Sequence, residues 1–218
     1  MRFLNAGDRA LLVELDPAAE AAPGPARLYR ALMRDRPVGA LEFVPAARTV
    51  LVRFDPELTS SGLLAARIGD VARAMDDEAG ASGDVGDADV LEIPVRYDGE
   101  DLDEVARLAG LSVVEVVARH CAPVYTVAFC GFAPGFGYLT GLDEALRLPR
   151  RAVPRTRVPA GSVAVADRYA AVYPQASPGG WNLLGRTDVA VWDPARQPPA
   201  MFVPGVRVRF VAESESPR

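Results

Sequence analysis

The alternation of apolar and polar residues in the first half of the chain predicts strands interspersed with helices. Residues 10–15 alternate as a strand does, and Pro25 opens a segment whose apolar residues recur at helical spacing. Two strands, a helix capped by Ser61 and a last strand follow, at residues 41–44, 49–54, 61–75 and 90–95. The order strand, helix, strand, strand, helix, strand is typical of a ferredoxin-like βαββαβ domain, which we place at residues 1–97.

The second half, residues 98–218, changes to a mostly β pattern after two short helical segments. Ser112 and Glu115 are spaced as a capping box for the second helix, which ends near His120. Beyond it, short apolar runs separated by Gly and Pro fall at residues 125–130, 162–166, 169–173, 188–192 and 206–211. Many short strands with turn signals predict a small barrel or sandwich. The predicted fold class is therefore α+β, with two domains.

An acidic stretch joins the two predicted domains. Residues 76–89 are rich in Asp, Gly and Ala, which predicts a solvated loop. Between residues 76 and 104 twelve acidic side chains accompany one basic side chain, a local charge of −11. We interpret this charge as a soluble loop followed by an acidic helix start. A negative surface for a basic partner is the alternative.

Composition narrows the possible chemistry through the residue types that are missing. The 218 residues carry a net charge of −5 and include one histidine but no lysine. Without lysine the chain cannot house a lysine-containing phosphate loop, a Schiff base or a covalently carried biotin or lipoyl group. Cys121, Cys130 and the single histidine are too few for the usual structural zinc site, so we expect no protein metal ligands. The two cysteines are expected to be free thiols.

Charge and hydropathy also bear on partners and location. A chain with more acidic than basic residues is not expected to bind nucleic acid as its main role. The N-terminus shows no secretory signal, and no run of eighteen apolar residues could span a bilayer. We therefore expect no membrane association and a cytoplasmic location.

Three irregular segments interrupt the strands of the second half. Residues 131–138 combine three glycines with three aromatic residues, so their backbone can approach a planar ligand closely. Residues 146–158 hold five arginines and no acid, and Arg155 is the candidate clamp for an oxyanion. Residues 177–181 join two glycines, whose backbone N–H groups can nest an anion, to a tryptophan. For the two glycine segments, plain turns packed with aromatic side chains are the alternative. For the arginines other than Arg155, we favour solvation or pairing with a neighbouring acid.

The single histidine is the candidate general base. His120 falls in the last turn of a predicted helix, where exposed carbonyls favour its cationic form, shortly before the glycine and aromatic loop. We predict catalytic roles for His120 and Arg155; a purely structural histidine is the alternative. The predicted substrate- or ATP-binding residues are Tyr125, Gly131, Phe132, Pro134, Gly135, Phe136, Tyr138, Pro159, Ser162, Ser177, Gly179, Gly180 and Trp181.

Several unusual sequence blocks occur in one order along nearly the whole chain. They include GDRALLVE at residues 7–14, EIPV at 92–95, GFAPGFGY at 131–138, VPAGSV at 158–163 and SPGGW at 177–181. In these blocks, and in His120 and Pro154-Arg155, the chain resembles the family of the 5-oxoprolinase B subunit, also called allophanate hydrolase subunit 1 or the Kip inhibitor family. Residues 167–170 depart from the Gly-x-Gln-Thr-like pattern of that family.

The resemblance implies a ferredoxin-like N-terminal domain followed by a cyclophilin-like β-barrel. It further implies the B subunit of an ATP-dependent complex that hydrolyses 5-oxo-L-proline, a lactam, to L-glutamate. The homologous C subunit and a third component, the A subunit, would be the partners, with the active site shared between the B and C subunits. ATP would be required, with Mg bound through the nucleotide, and the isolated chain would be inactive or weakly active.

The same resemblance leaves other functions open. Relatives of the Kip type inhibit a sensor histidine kinase, and the family also resembles one half of the carboxyltransferase part of urea carboxylase. The chain could therefore be a kinase inhibitor or a component of a urea-amidolyase-type system that handles allophanate or urea. A prolyl isomerase would follow from the barrel shape by fold analogy alone.

Overall fold

The computed structural model describes residues 1–15, 24–77 and 90–213, which form two compact units, Met1–Gly86 and Asp87–Arg218. Most of the predicted acidic loop, residues 78–89, lies outside the described residues. Within the described ranges, no helix combines the length and the apolar character needed to cross a membrane.

The first unit is a four-stranded antiparallel sheet covered by two helices. Its elements are β1 (Arg2–Asn5), β2 (Ala10–Glu14), α1 (Gly24–Arg34), β3 (Ala40–Pro45), β4 (Thr49–Phe54) and α2 (Ser61–Asp77). The strands lie in the order β1-β2-β4-β3. Alternate strand residues such as Val13, Val50 and Val52 are fully buried against Leu32 and Ile68 of the helices. Burial of every second strand residue follows from the side-chain period of a strand.

The second unit is built on a seven-stranded sheet that nearly closes on itself. Its elements are β5 (Val90–Val95), α3 (Leu102–Ala109), α4 (Val113–Cys121), β6 (Tyr125–Cys130), β7 (Gly137–Thr140), a 3-10 turn (Glu144–Leu146), β8 (Arg155–Val158), β9 (Ser162–Ala166), β10 (Tyr169–Val172), β11 (Ser177–Gly179), β12 (Asn182–Arg186) and β13 (Arg207–Ala212). The sheet order is β12-β9-β10-β7-β6-β13-β5, while β8 and β11 pair separately. A bridge between Arg96 and Arg186 joins the two ends of the sheet. This barrel-like sheet is consistent with the expected cyclophilin-like fold.

The strand predicted at residues 90–95 forms, but in the second unit. It is β5, which runs parallel to β13 and pairs from Val90 opposite Arg207 to Val95 opposite Ala212. The prediction that this strand completes a βαββαβ domain over residues 1–97 is therefore wrong. In the first sheet β1, which the apolar pattern did not predict, occupies the edge beside β2.

Other local predictions had mixed outcomes. The capping box is confirmed, because the Ser112 hydroxyl accepts a hydrogen bond from the Glu115 amide and the Glu115 carboxylate accepts one from the Ser112 amide. The strand predicted at residues 188–192 is not formed, and the pairing there is an isolated bridge between Trp192 and Ala200. Both cysteines are free thiols, as expected.

A close backbone crossing fixes the start of α3 against β12. A Cβ atom on Gly99 would lie 2.3 Å from the Leu183 carbonyl oxygen, and one on Gly185 would lie 2.2 Å from that of Arg96. Glycine at both positions lets the two segments pair, and the Asp101 amide donates to the Leu183 carbonyl at 3.1 Å. The crossing therefore brings Asp101 to the end of the barrel where the irregular segments lie.

Candidate ligand site

Two of the irregular segments meet in one aromatic cluster, which we define as Phe136, Tyr138, Tyr173 and Trp181. The Phe136 ring lies edge-on to the rings of Tyr173 and Trp181, with centroids 5.3 and 5.5 Å apart. Tyr138 lies 5.6 Å from Trp181 in the same manner. Edge-to-face packing is a favoured arrangement of aromatic rings. The predicted segments 131–138 and 177–181 are thus walls of a single region.

The first of these segments is a tight turn held by its own backbone. The Phe136 amide donates to the Ala133 carbonyl at 3.0 Å, and Gly135 has a φ of +80°. A Cβ atom on Gly135 would lie 2.5 Å from Cβ of Trp192, so a side chain is excluded there. Gly131 and Pro134 are exposed on the same turn.

Phe132 has both an unusual backbone and an unusual exposure. Its φ is +70°, a left-handed conformation that is costly for a bulky L-residue. Its side chain is 60% exposed, yet its ring contacts Phe136 and Tyr173 edge-on at centroid distances of 5.2 and 6.4 Å. Phe132 therefore lies across the outer side of the aromatic cluster.

A buried ion-pair network lies beside the aromatic cluster and centres on Asp101. Its Oδ1 accepts hydrogen bonds from Arg151 and from Arg155 Nη2, the latter at 2.8 Å, and its Oδ2 accepts one from the Leu183 amide at 2.8 Å. Burial alone would raise the pKa of Asp101, but these hydrogen bonds and the two guanidinium charges hold it below its ordinary value. The carboxylate is therefore ionised, and it fixes the predicted anion clamp Arg155.

The arginine-rich segment, residues 146–158, carries less free charge than its sequence suggests. Arg147 pairs with Glu144 and Arg150 with Asp167, at 3.1 and 3.8 Å. Arg155 Nε also donates to Glu100 at 3.1 Å. Acids outside the segment, at distances from three residues for Glu144 to 55 for Glu100, thus pair with its arginines.

Two buried polar atoms near the aromatic cluster have no hydrogen-bond partner. Among the described residues, three buried side-chain atoms lack one, and Arg155 Nη1 and Ser177 Oγ are two of them. They lie on adjacent strands, because β8 and β11 pair with Arg155 opposite Gly179 and Val158 opposite Ser177. Directly opposed residues of an antiparallel pair point to the same face. The pairing is irregular between Ser177 and Gly179. Val158, opposite Ser177, packs with Phe136, Tyr173 and Trp181, and Gly179, opposite Arg155, faces the Tyr173 hydroxyl, so both strand positions lie next to the aromatic cluster.

Gly179 makes room for the hydroxyl of Tyr173. A Cβ atom on Gly179 would lie 2.3 Å from the Tyr173 hydroxyl oxygen. The hydroxyl accepts a hydrogen bond from the Trp181 backbone, and burial raises its pKa. Gly180 lies next to Pro154, and the Arg150 guanidinium lies over the Trp181 ring at 5.9 Å. The cluster therefore combines aromatic faces with a few fixed hydrogen-bond donors.

The structure places other predicted residues elsewhere. Tyr125 is fully buried in the central core, where its hydroxyl donates to the His120 carbonyl at 2.9 Å. Pro159 and Ser162 form a turn in which the Ser162 hydroxyl donates to the Pro159 carbonyl at 2.9 Å. These contacts are structural, and none of the three residues belongs to the aromatic cluster.

His120 is also a core residue. It is completely buried, stacks on Phe210 at 4.6 Å, and its Nδ1 lies 2.7 Å from the Tyr97 hydroxyl. Burial lowers the pKa of His120 to about 3. The prediction that the helix end favours a cationic imidazole is therefore wrong, because desolvation outweighs the helix carbonyls. The neutral ring of His120 makes no ring contact with the aromatic cluster.

Sequence reasoning missed Asp101. Its position in an acidic stretch predicted a solvated helix start, whereas its side chain is only 3% exposed. The one local signal was the neighbouring Gly99, which could have indicated a close backbone approach.

The fold and the site define the class of this chain. It belongs to the family described as carboxyltransferase domain, subdomain C and D, which matches residues 1–202. The resemblance drawn from the sequence blocks is therefore confirmed. The chain is 39% identical over 217 residues to the 5-oxoprolinase B subunit of Escherichia coli O157:H7, an alignment that covers 96% of this chain and 94% of that protein.

Solved structures show the same fold. The crystal structure of TTHA0988 is 43% identical, with a TM-score of 0.76, over 96% of this chain and 41% of that chain. This chain thus spans about two fifths of the length of TTHA0988. The urea amidolyase of K. lactis shares the fold with a TM-score of 0.66 at 21% identity, over 98% of this chain and 15% of that enzyme.

Proposed function

We propose that this chain is the B subunit of an ATP-dependent 5-oxoprolinase that opens the lactam of 5-oxo-L-proline to give L-glutamate. The observation that carries the proposal is the similarity to the E. coli protein of that name, which extends over 94% of its length. The aromatic cluster and its fixed donors support it, because such a surface suits a small, flat, polar ring.

ATP hydrolysis suits this reaction because a lactam carbonyl is a poor electrophile. Transfer of a phosphoryl group from ATP to the carbonyl oxygen releases ADP and makes the carbonyl carbon a better electrophile. Water then adds at this carbon and the ring C–N bond breaks, which frees the amine and leaves an acyl phosphate, and a second water releases the phosphate. The products are glutamate, ADP and phosphate. This chain would hold and orient the lactam, and an ATP-dependent reaction fits the cytoplasmic location expected from the sequence.

The three arginines beside the aromatic cluster do not supply the surplus positive charge that a nucleoside triphosphate needs. Arg150, Arg151 and Arg155 are paired with Asp167, Asp101 and Glu100, so the three positive charges are matched by three negative ones. A triphosphate with its Mg needs surplus positive charge and open backbone donors. We therefore propose that the nucleotide is held mainly by the partners, which are the homologous C subunit and the A subunit.

Reconstitution tests this proposal. The chain is co-expressed with the C and A subunits encoded in the same genome, and phosphate release is measured with 5-oxo-L-proline, other lactams, urea and allophanate. We expect ATP hydrolysis that depends on 5-oxo-L-proline in the assembled complex, and little or none with the isolated chain. An assembled complex that hydrolyses ATP only with urea or allophanate would refute the substrate, and full turnover by the isolated chain would refute the shared site.

A further inference from the structure

Arg155 Nη1 and Ser177 Oγ require a chemical explanation. Each is a hydrogen-bond donor, each is buried, and neither has a partner. Buried polar groups in native proteins nearly always have partners, because an unpaired one has given up its bonds to water without replacement. Two unpaired donors on paired strands beside the aromatic cluster indicate a place where a ligand supplies the acceptors.

We propose that Arg155 and Ser177 form a binding site for the carboxylate of a small cyclic amide, beside the aromatic cluster. The choice of a cyclic amide rests on the proposed function, whereas the choice of a carboxylate rests on the site. A guanidinium edge and a hydroxyl both donate to oxygen, and a carboxylate presents two oxygens in a plane. Phe136, Tyr138 and Trp181 then lie where the ring of the ligand would pack.

The local charge favours a singly charged ligand. Arg150, Arg151 and Arg155 are already matched by carboxylates, so what these residues offer is an unfilled hydrogen-bond donor rather than surplus charge. Arg155 is oriented by Asp101 and Glu100, which occupy its Nη2 and Nε and leave Nη1 for the ligand. Asp101 is therefore a positioning residue, since it acts on the ligand through Arg155.

Access to the site requires a movement, because both donors are buried in this conformation. Phe132 lies over Phe136 and Tyr173, and Tyr173 in turn reaches Gly179 opposite Arg155. Its left-handed backbone stores strain, and glycines flank its turn.

Ligand titration of the isolated chain tests the site directly, because both donors belong to this chain. The indole N–H resonance of Trp181 is followed by nuclear magnetic resonance while 5-oxo-L-proline, 2-pyrrolidinone or inorganic phosphate is added. 2-Pyrrolidinone is the same lactam without the carboxylate. The variants are Ser177→Ala and Arg155→Lys, with Arg157→Lys, an exposed neighbour on the same strand, as the matched control.

We expect 5-oxo-L-proline to shift the Trp181 resonance, and Ser177→Ala and Arg155→Lys each to weaken binding about tenfold or more, the usual effect of losing a hydrogen bond to a charged group. Asp101→Asn should weaken binding in the same way, and Asp101→Glu should restore part of it. Arg157→Lys should bind as the unaltered chain does. 2-Pyrrolidinone should bind weakly and equally to all of these proteins.

Three results would overturn the proposal. The first is no shift with 5-oxo-L-proline at concentrations up to about 50 mM. The second is equal binding of 5-oxo-L-proline and 2-pyrrolidinone, or equal binding by the Ser177→Ala variant and the unaltered chain. The third is tighter binding of inorganic phosphate with the same dependence on Arg155 and Ser177, which would make this a phosphate site. Because no other protein and no ATP is present, failure of the reconstituted hydrolase leaves these results unaffected.

Discussion

Replacing Asp101 with Asn would remove the buried negative charge between Arg151 and Arg155. Three donors point at this carboxylate, namely the two guanidinium groups and the Leu183 amide. An Asn side chain keeps one acceptor oxygen but places an NH2 group where one of these donors now bonds. Each weakened charge-assisted hydrogen bond costs about 1 kcal/mol. We therefore expect the free energy of unfolding to fall by about 3 kcal/mol, as for other buried pairs that lose one partner.

Tryptophan fluorescence during urea unfolding measures this effect in the right part of the molecule. The chain has two tryptophans, Trp181 and Trp192, and both belong to the second unit, as Asp101 does. Asp103→Asn is the matched control, because Asp103 lies two residues further on and is exposed on α3. Removal of an exposed charge should change the free energy of unfolding by no more than about 0.5 kcal/mol.

The pH dependence gives a second, independent readout of the same carboxylate. The pKa of Asp101 is lowered in the folded chain from its ordinary value of 3.8. Its stabilisation is therefore complete above the unfolded pKa and is lost as the pH falls through the lower folded pKa. The difference between the unaltered chain and Asp101→Asn should be full at pH 6 to 7 and shrink below about pH 4. Equal stability of Asp101→Asn and Asp103→Asn at neutral pH would refute the reasoning.

Three further predictions concern buried or strained positions. Burial lowers the pKa of His120 from 6.5 to about 3, so the ring proton resonances of this single histidine should not shift between about pH 8 and pH 5. The free energy of unfolding should fall as the pH drops below about 6.5, because the unfolded chain then binds a proton that the folded chain does not. A titration midpoint near pH 6.5 in the folded protein would contradict this. Gly185→Ala should lower the free energy of unfolding by about 2 kcal/mol, because its Cβ would lie 2.2 Å from the Arg96 carbonyl oxygen. Gly180→Ala is the control, since its Cβ would lie 3.5 Å from the nearest atom, and it should cost no more than about 0.5 kcal/mol. Equal midpoints of urea unfolding for the two variants would contradict the close crossing. The free energy of unfolding in urea should be about 1 kcal/mol higher for Phe132→Gly than for Phe132→Ala, because only glycine relieves the strain of the left-handed backbone at this position. Equal free energies of unfolding for the two variants would show that the backbone is not strained there.

The local pattern of apolar and polar residues predicted most of the helices and strands, but it did not predict which strands pair with one another. The apolar run at residues 90–95 is a strand, as expected, yet it pairs with β13, more than a hundred residues away in sequence. Alternation of side chains shows that a strand has a buried face and does not show which sheet covers it. The assignment of this strand to the first domain depended on counting elements in order, and that count lacked β1.

In the candidate site, too, the features that depend on neighbouring residues were predicted, and the features that depend on residues distant in sequence were not. The glycine and aromatic segments 131–138 and 177–181 were predicted from residues next to one another, and the structure brings them together. Asp101 could not be predicted in this way, because it lies 50 and 54 residues from Arg151 and Arg155. The prediction that His120 is charged was wrong for a related reason. Phe210 and Tyr97, which contact its ring, lie outside its own helix.

This long-range pairing changes the chemistry that the site can perform. In sequence the segment 146–158 has five arginines and no acid, and Arg155 is its candidate clamp for phosphate or carboxylate. In the fold Arg150, Arg151 and Arg155 are ion-paired, and the buried side-chain atoms beside the aromatic cluster that lack a partner within the described ranges are one guanidinium nitrogen and one hydroxyl. Two fixed donors select the shape and position of a small acceptor far better than they attract a polyanion. Under the proposed function, the charges that neutralise the phosphates of ATP would therefore come chiefly from a partner protein, and this chain would orient the smaller substrate.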